Sequence, residues 1–257
     1  MIIDTHCHLD VEHFNEDLDA IIESSFSNGI QAIVIPAADI NDLPRAVEIC
    51  EKYPQIFFSV GVHPYHVNDY CEATLLKYVK HPKCVAVGEC GLDYYRLPED
   101  EIEKDENIKL QKEVFVAQIN IAKKYKKPLI IHIRDASNDS KEILLENNAC
   151  EVGGVLHCFN ADEQLLSLSK CGFYFGIGGV VTFKNAKKLV NILSKIPLEK
   201  LVIETDAPYL TPEPFRGKRN EPIYTKYVAS KMSDILNISL DKLEELTTRN
   251  ARTLFNI

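Results

Sequence analysis

The stretch Ile2–Asp10, with the sequence IIDTHCHLD, decides how the rest of this chain is interpreted. Its apolar start predicts a short buried strand, and His6 and His8 stand two residues apart at the far end of that strand. In an extended chain the side chains of residues i and i+2 point to the same face, so both imidazoles point one way and Cys7 points the other. Two imidazoles about 7 Å apart along a strand can bind one divalent metal ion. A lone His-x-His pair is explained equally well by two half-exposed histidines beside a loop, so the interpretation depends on partners elsewhere in the chain.

The composition describes an ordinary globular protein with a sizeable core, because 46% of its 257 residues are apolar and it has only 11 glycines and 12 prolines. We expect no signal peptide, because Asp4 interrupts the first apolar run and no basic residue precedes it. The eight cysteines form no CxxC pair, which predicts reduced thiols and a cytoplasmic rather than secreted protein. The net charge of −9 argues against broad non-specific binding to nucleic acid. A nucleic-acid substrate stays compatible with this charge, because bound metal ions supply local positive charge.

Eight short apolar runs lie along the chain, and a segment with helical periodicity follows each of them. After the first run they are Ala32–Pro36, Ile56–Val62, Cys84–Gly88, Leu129–Ile133, Gly154–Cys158, Phe173–Ile177 and Leu201–Thr205. Such continuously apolar runs, rich in valine and isoleucine, are typical of parallel strands that are covered on both faces. They predict one α/β domain over residues 1–257, a single-domain (β/α)8 TIM barrel, with an open doubly wound sheet as the alternative.

Two long loops are predicted to frame the face at which the strands end. An acidic, tyrosine-bearing loop over Cys90–Asn107 precedes a predicted helix over Ile108–Tyr125. A second loop over Ala207–Pro222 follows the last strand. Elsewhere in the chain, between the sixth and seventh strands, a helix is predicted near Asp162–Lys170. These loops predict a mouth shaped as a pit rather than an open groove.

Residues of the metal-ligand type mark the ends of five of the eight predicted strands. Besides His6 and His8 they are Glu89, His132, His157 and Asp206. The C-terminal ends of barrel strands form the face where TIM-barrel active sites are assembled. Because a buried carboxylate or imidazole is costly unless it is paired or bound to a metal, six of them at one face favour a metal site. Four histidines and two carboxylates exceed what one ion needs, and they predict two divalent ions about 4 Å apart that share Glu89.

Several linked motifs follow one another along the whole chain. They are THCHLD (Thr5–Asp10), GVHP (Gly61–Pro64), GECGLDYY (Gly88–Tyr95), IHIRDA (Ile131–Ala136), HCF (His157–Phe159), ETDAPYL (Glu204–Leu210) and RNEP (Arg219–Pro222). Together they resemble the TatD family of metal-dependent deoxyribonucleases. The resemblance implies a barrel with two divalent ions (Mg, Mn or Zn) and 3′ exonuclease or related DNase activity. It implies that the metal ligands are His6, His8, Glu89, His132, His157 and Asp206.

Four more residues are candidates for roles beside these ligands. His63 follows the third strand and is predicted to contact the substrate phosphate. Arg134 is either a phosphate clamp or a partner in a salt bridge, and Arg219, in the basic segment RGKR, is predicted to bind the nucleic-acid backbone. Glu204 stands two residues before Asp206 and is expected to orient a ligand rather than bind the metal itself.

The sequence therefore predicts a metal-dependent hydrolase of DNA phosphodiester bonds that activates water with two ions. Asp206 is the predicted general base, with Glu89 and His63 as the other catalytic residues. Because few basic residues face the predicted mouth, we expect single-stranded DNA ends as the partner, and the resemblance supplies the 3′-to-5′ polarity. The alternative is an amide or ester hydrolase of the amidohydrolase superfamily, including a D-aminoacyl-tRNA deacylase. Glu89 argues against it, because many of those enzymes have a carboxylated lysine on the fourth strand.

Overall fold

The eight apolar runs form eight parallel strands whose order in the sheet is their order in the chain. The strands are β1 (Ile2–Asp4), β2 (Ile30–Ile35), β3 (Ile56–Val60), β4 (Cys84–Asp93), β5 (Leu129–Arg134), β6 (Gly154–Leu156), β7 (Phe173–Ile177) and β8 (Leu201–Ile203). The N–H of Thr5 donates to the carbonyl of Ile203 at 3.1 Å, and the N–H of His8 donates to that of Ala207 at 2.8 Å, which joins β1 to β8. The computed structural model describes residues 1–257 and confirms the predicted TIM barrel over the open sheet.

Helices surround the barrel on its outside. The α-helices are α1 (Leu18–Ser27), α2 (Leu43–Lys52), α3 (Glu72–Tyr78), α4 (Glu101–Tyr125), α5 (Ser137–Glu146), α6 (Lys187–Leu193), α7 (Thr225–Leu236) and α8 (Leu240–Phe255). Short 310 helices lie at Glu12–Phe14, Pro64–Asp69, Ala149–Glu151, Glu163–Cys171, Gly179–Thr182, Leu198–Lys200 and Pro222–Tyr224. The helix predicted near Asp162–Lys170 is therefore a 310 helix. None of the helices combines the length and the apolar character that crossing a bilayer requires.

The helix α4 begins seven residues before the predicted start, so the loop after β4 is much shorter than Cys90–Asn107. The Asp100 side chain accepts hydrogen bonds from the N–H groups of Ile102 and Glu103 and caps the helix. The first turns, Glu101–Asn107, are solvated and polar apart from the exposed Ile102, so they carry no apolar period that would reveal a helix. Strand β4 in turn extends to Asp93, which lengthens the sheet on the side of the mouth.

Two apolar clusters form the core. The larger one has 55 residues and lies between the strands and the surrounding helices. The smaller one has 12 residues, contributed by alternate positions of the strands, such as Ile3, Val34 and Ile130, and by Leu254 and Phe255 at the end of α8. Apolar side chains thus fill the barrel interior on the side where the strands begin, and the polar residues collect where the strands end.

Candidate metal centre

The carboxylate of Glu89 lies at the centre of the mouth and is 3% exposed. Imidazole nitrogens surround it: His6 Nε2 at 3.2 Å, His8 Nε2 at 3.8 Å, His63 Nε2 at 3.6 Å, His132 Nδ1 at 2.8 Å and His157 Nε2 at 3.1 Å. Burial opposes ionisation of Glu89, but the surrounding imidazoles outweigh it and hold its pKa well below the usual range. A buried carboxylate within a shell of imidazoles is a donor set typical of divalent transition metals.

Three groups of donor atoms at the mouth are compact enough to bind a metal ion, because the atoms of each lie within 4.8 Å of one another. The groups are His6, His8 and Asp206; His6, Glu89 and His157; and His63, Glu89 and His132. Glu89 belongs to two of the groups, and its two oxygens face different histidines. The geometry brings together all six residues predicted as ligands and adds His63 to them.

Unpartnered buried nitrogens support a metal at this place. Both ring nitrogens of His6 are buried and form no hydrogen bond, although Glu89 Oε2 lies 3.2 Å from His6 Nε2. A buried polar atom without a partner costs free energy. In metal sites this cost is removed because the imidazole nitrogen binds the metal ion. The residues present therefore fit the implied metal.

The strand joint between β8 and β1 positions Asp206. Its Oδ1 lies 3.5 Å from His8 Nε2 and 3.7 Å from His6 Nε2. Beneath it, the fully buried Asp4 accepts hydrogen bonds from the N–H of Thr205 at 2.9 Å and from its hydroxyl at 2.6 Å. Burial raises the pKa of Asp4 to about 8, against the hydrogen bonds from Thr205. Asp4 thereby ties the His-x-His segment to the segment that bears Asp206.

The residue Asp93, which the sequence analysis did not single out, orients His132. Its Oδ2 lies 3.0 Å from His132 Nε2, so that His132 has a carboxylate at each ring nitrogen. Burial opposes ionisation of Asp93, but hydrogen bonds from His132 and Tyr65 outweigh it and lower its pKa to about 2. Gly91, between the two carboxylates of β4, permits this approach, because a Cβ there would lie 2.0 Å from the carbonyl oxygen of His132. The sequence did contain an indication of this role. Asp93 is four residues after Glu89, and residues i and i+4 of one strand point to the same face.

His157 has a comparable neighbour in Glu204, which was expected to orient a ligand. Glu204 Oε1 lies 3.5 Å from His157 Nδ1 and accepts a hydrogen bond from the N–H of Cys158 at 2.5 Å. Strand β6 ends at Leu156, so His157 and Cys158 lie just beyond it rather than inside it. The carboxylate therefore holds a loop segment, and through it the imidazole.

His63 differs from the other four histidines in its hydrogen bonding. Its Nδ1 accepts a hydrogen bond from the N–H of Tyr65 at 3.1 Å, so the neutral ring carries its proton on Nε2, which faces Glu89. Burial lowers the pKa of His63 to about 3, although the charge of Glu89 opposes this. A neutral imidazole with an N–H aimed into the mouth is a hydrogen-bond donor, as contact with a phosphate oxygen requires.

Three cysteines stand next to metal-ligand residues in the sequence: Cys7, Cys90 and Cys158. Cys7 and Cys90 are fully buried in the larger core cluster, away from the metal-ligand side chains. Cys158 is partly exposed, has a positive φ of 44° and lines a separate cavity with Gly176 and Gly178. Cys158 is therefore outside the metal-site cavity as well, although the chain has already left strand β6 at this position and strand alternation no longer applies.

Comparison with known proteins identifies the family. The family model for "TatD related DNase" matches residues 3–256. The chain belongs to this family. The Bacillus subtilis protein named "Uncharacterized metal-dependent hydrolase YabD" is 42% identical over 100% of both chains. The Escherichia coli protein YcfH, with the same description, is 35% identical over 100% of this chain and 96% of its own.

Solved structures agree with the family assignment. The crystal structure of the E. coli TatD homologue YjjV superposes with a TM-score of 0.90 at 28% identity and covers 100% of this chain and 98% of its own. A TatD family hydrolase from Entamoeba histolytica gives a TM-score of 0.84 at 26% identity, with 99% and 97% covered.

The cavity above the metal-ligand cluster of this TatD-family chain has a volume of about 470 Å³. Its lining includes His8, His63, Glu89, His132, His157 and Asp206, together with Asp39, Asp42, Tyr65, Arg96 and Tyr209, which the sequence analysis did not assign to the site. Neither predicted substrate-binding arginine lines this cavity. Arg219 is held by Asp17 and Glu221 at 2.7 and 3.2 Å, and Arg134 lies against the ring of Tyr95 beside a neighbouring cavity.

Proposed function

We propose that this TatD-family protein is a deoxyribonuclease that uses two divalent ions to remove nucleotides from single-stranded 3′ ends. The two bacterial relatives named above are described as metal-dependent hydrolases, and the family model carries the description "TatD related DNase". The observation that carries the proposal is the central, buried carboxylate of Glu89, which faces five imidazoles and belongs to two compact donor groups. One carboxylate shared between two donor groups is the arrangement of two-ion phosphodiesterases.

The residues of the cluster would have two roles, to bind the two ions and to hold the metal-binding side chains in place. His6, His8 and Asp206 would hold one ion, His132 and His157 the other, and Glu89 both, although the compact donor groups that contain Glu89 place His157 with His6 and His132 with His63. Such ions, when bound, supply the positive charge that activates water and neutralises the phosphate. Asp4, Asp93 and Glu204 hold these side chains in place through the contacts described above.

Two residues would handle protons and the phosphate directly. Asp206 is 14% exposed at its side chain, against 4% for Glu89, and its carboxylate would accept a proton from the attacking water as general base. The Nε2–H of His63 would donate a hydrogen bond to a phosphate oxygen, because its Nδ1 is occupied by the N–H of Tyr65. The low pKa of His63 keeps this imidazole neutral at physiological pH, so it acts as a donor and not as a cation.

The shape and charge of the mouth favour a chain end over an internal segment. The cavity of about 470 Å³ is of the size of a small-molecule site, which can take a nucleotide but not a duplex. Arg96 is the only arginine or lysine among its lining residues, whereas a groove that follows a nucleic-acid backbone needs a cation at most phosphates. A single-stranded end can enter such a pit without bending.

The proposal is tested with three single-stranded substrates of one sequence: a linear strand with a free 3′ end, the same strand with a blocked 3′ end, and a closed circle. We expect stepwise release of nucleotides from the free 3′ end and no cutting of the circle. Rapid cutting of the circle would refute the end-specific activity, and no cleavage of any DNA by the metal-loaded enzyme would refute the nuclease.

Two controls keep the assignment specific. Glu89→Gln preserves the size of the central side chain but removes its charge, and it should abolish turnover of every substrate that the metal centre hydrolyses. An ester of a D-amino acid with tRNA, run in the same panel, tests the alternative hydrolase. If the enzyme hydrolyses this ester and leaves every DNA substrate uncut, the assignment changes from a nuclease to a deacylase.

A further inference from the structure

Three tyrosines form an exposed aromatic rim around the mouth of the barrel. The chain has 11 tyrosines and 11 phenylalanines, and only Tyr65, Tyr95 and Tyr209 among them are exposed, at 39%, 58% and 48%. Tyr65 follows β3, Tyr95 follows β4 and Tyr209 follows β8, so all three lie at the ends of strands that bear the metal-ligand cluster. Exposed aromatic side chains that collect at one site are typical of recognition surfaces.

The Tyr95 ring forms the part of the rim next to β4 and is backed by an arginine. The guanidinium carbon of Arg134 lies 3.6 Å from the ring centroid, so the two groups are stacked. Arg134 has no ion pair, which leaves its charge free. The backbone N–H of Tyr95 donates to Asp93 Oδ1 at 2.8 Å, which anchors the rim to the carboxylate that orients His132.

Tyr209 and Tyr65 line the metal-site cavity itself. The ring centroid of Tyr209 lies 6.1 Å from that of His8, and the ring centroid of Tyr65 lies 4.7 Å from that of His63. The guanidinium of Arg96 lies over the Tyr65 ring at 5.3 Å. In a barrel of eight strands β4 and β8 are on opposite sides, so Tyr95 and Tyr209 flank the metal-ligand cluster from two directions.

We propose that Tyr65, Tyr95 and Tyr209 stack against the bases of a single strand on either side of the phosphate at the metal centre. The proposal deepens the nuclease function above and rests on it. A phosphate at the cluster would place the adjoining nucleosides at the rim, where Tyr65 and Tyr209 are the aromatic rings that line the cavity besides the histidines. Every nucleobase has an aromatic face, so stacking holds a strand without selecting its sequence.

The rim also accounts for substrate binding by a chain of net charge −9 with few free cations at its mouth. Stacking supplies binding that needs no counter-charge, and Arg96 and Arg134 each lie against one of the tyrosines. A duplex hides the faces of its bases in its own stack and could not use these rings. The rim therefore makes the enzyme specific for unpaired bases close to the scissile bond.

The test compares two single-stranded oligodeoxynucleotides that differ only at the 3′ end, where one carries bases and the other carries abasic residues with the same phosphates. In the metal-loaded enzyme we expect Tyr95→Ala and Tyr209→Ala each to lower kcat/KM about tenfold on the base-bearing strand. On the abasic strand the same variants should change kcat/KM less than about twofold, because no base is present to stack. Tyr95→Phe and Tyr209→Phe retain the ring and should behave as the parent protein. Leu145→Ala, an exposed apolar position in α5 with 43% exposure, is the matched surface control.

Binding is measured separately by the fluorescence of 2-aminopurine placed at the 3′ end, which stacking on an aromatic ring quenches. The chain has no tryptophan, so the protein adds little background. Quenching by the parent protein that is lost in the alanine variants supports the rim, whether or not the DNA is cut. An equal loss of kcat/KM on both strands, or quenching that survives in the alanine variants, would overturn it. If the parent enzyme cuts no DNA, the proposed function is refuted. In that case the loss or survival of 2-aminopurine quenching in the alanine variants still tests whether the tyrosines stack against bases.

Discussion

Replacing Gly176 by alanine should damage the metal centre without touching any of its ligands. Gly176 lies in β7, and a Cβ at this position would lie 2.2 Å from Oε2 and 2.7 Å from Cδ of Glu204. Ordinary contacts of a Cβ are 3.4 Å or longer, so the carboxylate must move by roughly 1 Å. The backbone of Gly176 is not left-handed, so alanine itself is acceptable there and the collision with Glu204 is the whole effect.

The expected loss has two separable parts. Glu204 Oε1 contacts His157 Nδ1 and the N–H of Cys158, so a displaced carboxylate releases both. Loss of such support typically costs 10- to 100-fold in metal affinity or activity, which is about 1.4–2.8 kcal/mol. Overpacking adds about 1–3 kcal/mol of lost stability, and this part should be present in the metal-free protein as well.

Gly178→Ala is the matched control. A Cβ at Gly178 would lie 3.5 Å from Cγ of the same Glu204, an ordinary van der Waals distance. Glu204→Gln is the second comparison, because it keeps the shape of the side chain and removes its charge beside His157. It should lower metal affinity without the instability that overpacking causes.

The assay measures metal affinity by competition with a chromogenic chelator, and stability by thermal unfolding of the metal-free and metal-loaded proteins. We expect the affinity to fall for Gly176→Ala and Glu204→Gln and to stay unchanged for Gly178→Ala. Equal effects of the two glycine variants would refute the steric reasoning. Unchanged metal affinity in Gly176→Ala would refute the role of Glu204 in positioning His157.

Three further predictions concern the ions, the strand register and the surface charges. A chelator should abolish hydrolysis and Mg²⁺ or Mn²⁺ should restore it, as followed by product release and metal analysis; activity that survives in metal-free protein would contradict the site. Cys7→Ser should keep metal content and activity while His8→Ala loses at least one ion, and the opposite outcome would mean that the register at the mouth is wrong by one residue. The ion pair with Lys112 at 2.6 Å and the hydrogen bond from the Tyr94 hydroxyl lower the pKa of Asp139 below its usual value of 3.8. Because the folded pKa is depressed, the stabilisation is present above pH 4 and lost as pH falls through the folded value. Asp139→Asn should therefore be less stable than the parent in urea at neutral pH and equal to it at strongly acid pH, and a difference that persists in acid would contradict the pair.

The sequence was sufficient for the barrel and for the convergence of the metal-ligand residues. Both follow from one physical regularity, that parallel strands covered on two faces are continuously apolar and end at a common face. A polar residue that follows such a run, such as Glu89 or Asp206, is placed by the topology alone. His157 shows the limit of this rule, because strand β6 ends at Leu156, two residues before the end of the apolar run Gly154–Cys158.

What the sequence did not reveal depends on contacts between distant segments. Arg219 was expected at the substrate, yet its guanidinium is held by Asp17, which is 202 positions away in the chain. Asp93 supports His132 across two strands, and a buried carboxylate of this kind resembles any other acidic residue in a single sequence. The early start of α4 was missed because its first turns bury nothing and are fixed by the Asp100 cap.

For the proposed nuclease, the charges of the donor set are an argument for two ions over one. Glu89 and Asp206 contribute two negative charges to the proposed ligand set, and the four histidines of that set are neutral when they bind a metal. One divalent ion would only cancel the two carboxylates and leave a phosphodiester without a counter-charge. Two ions would leave a net charge of about +2 at the phosphate, in a low-dielectric site where such a charge is strongly felt. Arg96 is the only arginine or lysine that lines the cavity, and it lies against the Tyr65 ring, so a site with one ion would offer the phosphodiester a single positively charged side chain.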